Sequence, residues 1–173
     1  MWRCSPTAID PKGGVGRNQS PNIVVKIDPC PGFPAAKSLS IDRDSYRPHA
    51  SFAQGVEVGD TIYVAGQVSI DDDGKLVGSA GDMDAQVRQT FKNVEKVLAE
   101  ARATLDHVVK MTCHITDVSK YRDYAAVRAE LFQGNLPASA TVVVAALVMP
   151  ELLIEIDAIA VRKRAFRTTI EVS

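Results

Sequence analysis

Cysteine is scarce in this chain, with only Cys4, Cys30 and Cys113 among 173 residues and no CxxC pair. An odd, widely spaced set signals neither a disulfide framework nor a zinc site, and the expectation is a reducing, cytoplasmic setting. His49, His107 and His114 show no metal-ligand spacing either, so no metal is expected. Neither sign of charge is in excess: 20 Lys plus Arg face 21 Asp plus Glu. Aromatic residues make up 6% and do not cluster with basic ones. That balance argues against nucleic acid as a partner, and against ribonuclease chemistry and anionic membrane surfaces with it. Long hydrophobic runs are missing as well. Nowhere do about 18 apolar residues follow one another, and the first residues lack the roughly 7 to 15 apolar positions of a signal peptide. A soluble protein with no membrane partner is expected.

What is present is enough for one core. At 46% hydrophobic and 24% charged, the length suits a single globular domain that needs no staples. Residues 1–22 are rich in Gly, Pro, Ser and Asn and carry no apolar period, which predicts a flexible tail. The domain is expected over 23–165, followed by a short tail at 166–173. Within the first tail, Lys12-Gly13-Gly14-Val15-Gly16-Arg17 is similar to a deviant phosphate loop. No strand pattern precedes it, however, and Asn18 stands where a magnesium-binding hydroxyl is needed, so a chance glycine cluster is the better reading.

The apolar pattern then gives a sequence of elements. Residues 23–28, IVVKID, read as an edge strand closed by the proline-rich 29–34. Residues 51–58 and 61–68 flank Gly59-Asp60 as a hairpin. From Asp82 the period becomes helical, with Met83, Val87, Phe91, Val94, Val97, Leu98 and Ala101 on one face. Residues 108–116 alternate as a strand, placing Val109, Met111, Cys113 and Ile115 on one side and Lys110, Thr112, His114 and Thr116 on the other. Asp117 or Ser119 can cap a second helix over 121–132, with Tyr124, Val127 and Leu131 as its stripe and Gly134 beyond its end. Two strands follow, at 140–147 and 152–161. Their order predicts an α+β layer: an antiparallel or mixed sheet with both helices on one face. The other sheet face carries many apolar residues, which makes self-association the expectation.

The final stretch, PASATVVVAALVMPELLIEIDAIAVRKR, sets the acid Glu155 between Ile154 and Ile156 in an apolar run, and buried carboxylates are costly unless paired or used. On the first of its strands Ser139, Thr141, Val143 and Ala145 share a face, and Glu155 and Asp157 share one on the second. Neighbouring strands would let a hydroxyl and a carboxylate flank one cleft.

Together with Phe52-Ala53-Gln54-Gly55-Val56 and Tyr63-Val64-Ala65-Gly66-Gln67, this stretch resembles the reactive intermediate deaminase family, the Rid or YjgF proteins, over roughly 47–164. The resemblance rests on an SGQ-like strand end at Ala65-Gly66-Gln67 and a PARS-like turn before a VEIEAIA-like strand. It implies a chorismate-mutase-like homotrimer with a barrel-like centre and small-molecule clefts between subunits. It also implies hydrolysis of enamines and imines, or a related tautomerisation of conjugated carbonyls, without a cofactor. Glu155 matches the glutamate that helps position the attacking water, and its apolar neighbours suit a proton shuttle. Thr141 stands where members use Cys, Thr or Ser. Phe52, Ala65 and Gly66 fall at ligand-lining positions, and His114 at one often aromatic.

One residue departs from the pattern. Ser139 occupies the place of the arginine that grips a substrate carboxylate, and serine cannot imitate a two-pronged guanidinium. The expectation is therefore not simple 2-aminoacrylate deamination but a neutral or more apolar substrate, unless a cation such as Arg128 or Lys163 substitutes. The alternative is a non-catalytic trimer that binds a small metabolite for regulation.

Overall fold

Ile154, Ile156, Ala158 and Ala160 alternate with Glu155, Asp157, Ile159 and Val161, and this two-residue period gives the last strand one apolar face and one mixed face. A computed structural model of the chain describes residues 35–39, 52–79, 81–134 and 136–162. The first tail, the Lys12–Arg17 run, the strand expected at 23–28, His49, Lys163 and the last tail lie outside the described residues.

The elements are β1 (Ala36–Leu39), β2 (Gly55–Val58), β3 (Thr61–Val68), α1 (Met83–Glu100), β4 (Val108–Ile115), α2 (Tyr121–Leu131), β5 (Ala138–Val143) and β6 (Ile154–Val161). The six strands form one sheet in the order β1-β2-β3-β6-β4-β5. All neighbours are antiparallel except β4 and β5, so the sheet is mixed. The β2–β3 hairpin turns at Gly59, whose φ of 61° is strain-free only without a Cβ.

Both helices cover one face. Beneath them lie Ile62 and Val64 of β3, Met111, Cys113 and Ile115 of β4, and the four inward residues of β6, all buried. α1 starts where Asp82 accepts a hydrogen bond from the Ala85 amide at 3.1 Å. It contributes Met83, Val87, Phe91, Val94, Val97 and Leu98 to the core, and Phe91 meets Phe132 edge-on at 5.6 Å. Among the described residues no helix is long and apolar enough to cross a membrane.

Three local expectations are corrected. Val109 does not point inward with Met111. A bulge between Val108 and Lys110 shifts the alternation by one residue, so Val108 is buried and Val109 is 48% exposed. β5 spans Ala138–Val143 rather than 140–147, because its partner β4 ends at Ile115, which pairs with Val143. Asp117 caps a short 3-10 turn, Val118–Lys120, by accepting from the Ser119 amide at 2.8 Å; α2 follows that turn and has no side-chain cap of its own.

Four polar α1 residues are also buried: Gln86, Gln89, Thr90 and Asn93. Gln86 donates to the Glu151 carbonyl at 2.9 Å and accepts from the Leu153 amide at 2.8 Å, which fixes the entry into β6. Asn93 donates to the carbonyls of Val68 and Ile70, both at 2.8 Å, and so fixes the exit from β3. These bonds satisfy backbone groups that the sheet leaves unpaired.

Candidate functional site

Glu155 faces away from the helices, on the mixed side of the sheet. Across β3 it pairs with Val68, and across β4 with His114. Directly opposite residues in an antiparallel pair have Cβ atoms about 4.5 to 5.5 Å apart, so the carboxylate and the imidazole belong to one patch. Nδ1 of His114 is enclosed and makes no hydrogen bond among the described residues. His114 shares this face with Thr112, as expected, and Thr112 stands opposite Asp157. Lys110 gives its ammonium to Thr112 Oγ1 at 3.3 Å, and Asp157 forms no ion pair among the described residues.

On the other flank β3 bulges. Val64 pairs with Ala158 and Gln67 with Ile156, so Ala65 and Gly66 together oppose Asp157 alone. The bulge sets the Gly66 backbone against Glu155: a Cβ built on Gly66 would lie 1.9 Å from Oε1. Only glycine admits that approach. The bulge is clamped from outside, because the Ala65 amide donates to the Gln54 carbonyl at 2.9 Å. Gln67 Nε2 in turn donates to Gln54 Oε1 and to the Ala65 carbonyl, both at 3.1 Å. Phe52, two residues before that clamp, is 67% exposed.

Ser139 and Thr141 lie elsewhere, because the two strands that would let a hydroxyl and a carboxylate flank one cleft are not neighbours in the sheet. β4 intervenes between β5 and β6. Ser139 is level with Met111 and Thr141 with Cys113, both on the helix side, whereas Glu155 is level with His114 on the opposite side. Within one protomer the sheet itself separates them.

The two hydroxyl residues instead line a cleft of about 810 Å³ between α2 and β5, together with Met111, Tyr121, Arg128, Phe132, Leu136 and Pro137. Arg128 Nη1 donates to Ser139 Oγ at 3.3 Å and to the Tyr124 hydroxyl at 3.4 Å, and its guanidinium carbon lies 5.4 Å from the Tyr124 ring centre. The Tyr124 oxygen is 2.7 Å from Cys113 Sγ. Burial, then the neighbouring thiol, pushes the Tyr124 phenol up to about 12, and burial pushes the Cys113 thiol up as well. Both groups are therefore neutral near pH 7.

Gly66 and Gln67 were named from the sequence in the strand-end motif, but the α1 side chains that fix the ends of β3 and β6 were not singled out. Gln86, Gln89 and Asn93 follow one another at helical spacings beside the apolar stripe, and that spacing was the available signal.

A family model described as endoribonuclease L-PSP matches residues 43–162. A RutC family protein of Pyrococcus abyssi is 33% identical over 129 residues, covering 74% of this chain and 99% of that protein. A 2-iminobutanoate/2-iminopropanoate deaminase of Rattus norvegicus is 38% identical over 113 residues, covering 65% of this chain and 80% of the rat protein. Among solved structures, yeast Mmf1 superposes with a TM-score of 0.68 at 29% identity, covering 75% of this chain and 100% of that one.

Proposed function

The chain belongs to the endoribonuclease L-PSP family, the RidA/YjgF proteins, and from that membership we propose that it hydrolyses imines or enamines to carbonyl compounds and ammonia. The observation that carries the reading is the seat of Glu155: a carboxylate between Ile154 and Ile156, pressed to the Gly66 backbone and set across from His114. A carboxylate held there can take a proton from water as the oxygen attacks the C=N carbon. It returns that proton to nitrogen, and the carbinolamine then expels ammonia as the carbonyl forms. His114 lies within reach to hold the water or the nitrogen.

The reaction belongs, in this reading, to clefts between copies of a homotrimer. What supports the assembly is the separation just described, since Ser139 and Thr141 of one copy can meet Glu155 only from another. The half-exposed apolar side chains of Tyr63, Ile159 and Val161 on the uncovered sheet face favour it too. Ser139 in place of a guanidinium keeps a second reading in view, a trimer that binds a small metabolite without turning it over.

Glu155→Gln separates the two. Loss of a positioned general base lowers a rate by about a hundred- to ten-thousandfold, so imine hydrolysis should fall by that much while the oligomer, followed by sedimentation, persists. Ligand binding by calorimetry with no turnover in the wild type would favour the second reading, and full activity in Glu155→Gln would remove the first.

A further inference from the structure

We propose that Arg128 supplies the carboxylate grip that Ser139 cannot, so that the cleft between α2 and β5 selects imines carrying a carboxylate rather than neutral ones. The inference rests on reading that cleft as one wall of the imine site.

Arg128 reaches the cleft from α2, and Nη1 ends 3.3 Å from the hydroxyl of the serine it would replace in role. Its acceptors are two neutral hydroxyls, those of Ser139 and Tyr124. No carboxylate among the described residues pairs with it. The ion pairs belong to Lys75, Arg88, Lys96 and Arg162, and the nearby Glu130 of α2 is taken by Arg88 at 2.8 Å. A guanidinium has five N–H donors in a planar fork, and among the described residues the hydrogen bonds of this one run through a single nitrogen. A partly desolvated cation with spare donors, on the wall of a cleft of about 810 Å³, is half of a charge-assisted pair.

The arrangement is also held in place. The guanidinium stacks on the ring of Tyr124, whose own side chain is fully buried and contacts Cys113. That limits the rotamers Arg128 loses when an anion docks. A second arginine at position 139 would bring two like charges into contact on one wall. The serine and the helix-borne arginine are therefore complementary. Thr141, two residues along the same strand face, adds a hydroxyl to the same wall.

The test uses the full chain, with calorimetric binding of 2-oxobutanoate and of its uncharged amide, alongside hydrolysis rates for 2-iminobutanoate generated in situ. The wild type should prefer the acid. Arg128→Met should lower the acid-to-amide affinity ratio by about ten- to a hundredfold, the effect expected of a lost charge-assisted pair. Arg128→Lys should restore only part of it, because an ammonium keeps the charge without the fork. The double variant Arg128→Met with Ser139→Arg should regain the preference, and Arg128→Lys serves if Arg128→Met folds poorly. Equal binding of acid and amide by the wild type, or a ratio indifferent to Arg128, would overturn the proposal. The two failures are distinguishable: Arg128-dependent acid binding without turnover would sink hydrolysis and leave the grip. Glu155-dependent turnover that ignores Arg128 would do the reverse.

Discussion

Glu155 lies against Gly66 so closely that the glycine has no room for a side chain, a Cβ there falling 1.9 Å from Oε1 and 2.8 Å from the carboxylate carbon. The contact joins a bulge in β3 to the acid of β6, so the position of the carboxylate is set by backbone rather than by a partner charge. Gly66→Ala should push the carboxylate aside. Displacements of about 1 Å at a reacting group lower rates by roughly a hundredfold, and that loss is the expected effect on imine hydrolysis. Overpacking costs about 1 to 3 kcal/mol, and the lower end applies because the far end of a flexible, half-exposed side chain does the yielding. A rate left intact by Gly66→Ala, with the unfolding midpoint also unchanged, would detach Glu155 from the chemistry.

Gln86 acts on the same acid from below. Its amide spans the Glu151 carbonyl and the Leu153 amide, two residues before Glu155, and its side chain is fully buried. Gln86→Leu keeps the volume but leaves both backbone groups unpaired, each worth about 1 to 3 kcal/mol. A loss of roughly 2 to 6 kcal/mol in urea unfolding is expected, with a drop in turnover larger than any core substitution of equal destabilisation produces. Leu98→Ala supplies that control: it empties a fully buried site near the C-terminal end of α1, at about 2 to 5 kcal/mol.

The layer arrangement was legible in the sequence because it rests on period alone. The α1 stripe from Met83 to Ala101 and the alternation of Ile154, Ile156, Ala158 and Ala160 each declare a single buried face. Bulges leave no such mark. The extra residue at Val108–Lys110 turned Val109 outward, and the one at Ala65–Gly66 built the Glu155 seat, yet both depend on pairing between distant strands. Strand order was hidden for the same reason. Ser139, Thr141 and Glu155 were identifiable one by one, but the registers of β5 and β6 on the intervening β4 decide that they face opposite ways. Arg128 could be named as a cation, and only the packing of α2 on β5 brings it to Ser139.

The Cys113–Tyr124 pair makes stability fall in alkali. Burial raises both groups in the folded state, so their contribution is fully present below their unfolded values and is lost as pH climbs; for the phenol that window runs from about 10 to about 12. The thermal midpoint of the wild type should therefore decline across that range. In Tyr124→Phe the decline should be shallower, although the variant starts lower because Cys113 and Arg128 each lose a partner. Parallel alkaline profiles for the two proteins would mean that the phenol does not titrate in the folded state as its burial demands.

The uncovered sheet face gives the assembly its own test. Tyr63 stands opposite Ile159 across β3 and β6, and Val161 ends the same row. Ile159→Glu puts a charge at the centre of that row and should shift the protein to monomer in sedimentation while leaving the helix-side core untouched. Activity should vanish with the assembly even though Glu155, His114 and Arg128 all remain. Complementation carries the argument further. Glu155→Gln is expected to be inactive on 2-iminobutanoate and Arg128→Met strongly impaired at low substrate, but unfolding and refolding them together makes mixed oligomers. If the acid of one copy works with the arginine of another, some clefts in the mixture contain both intact residues, and activity returns. If both residues served one site within a single chain, no mixed cleft would be whole, and the mixture would stay as inactive as its parts.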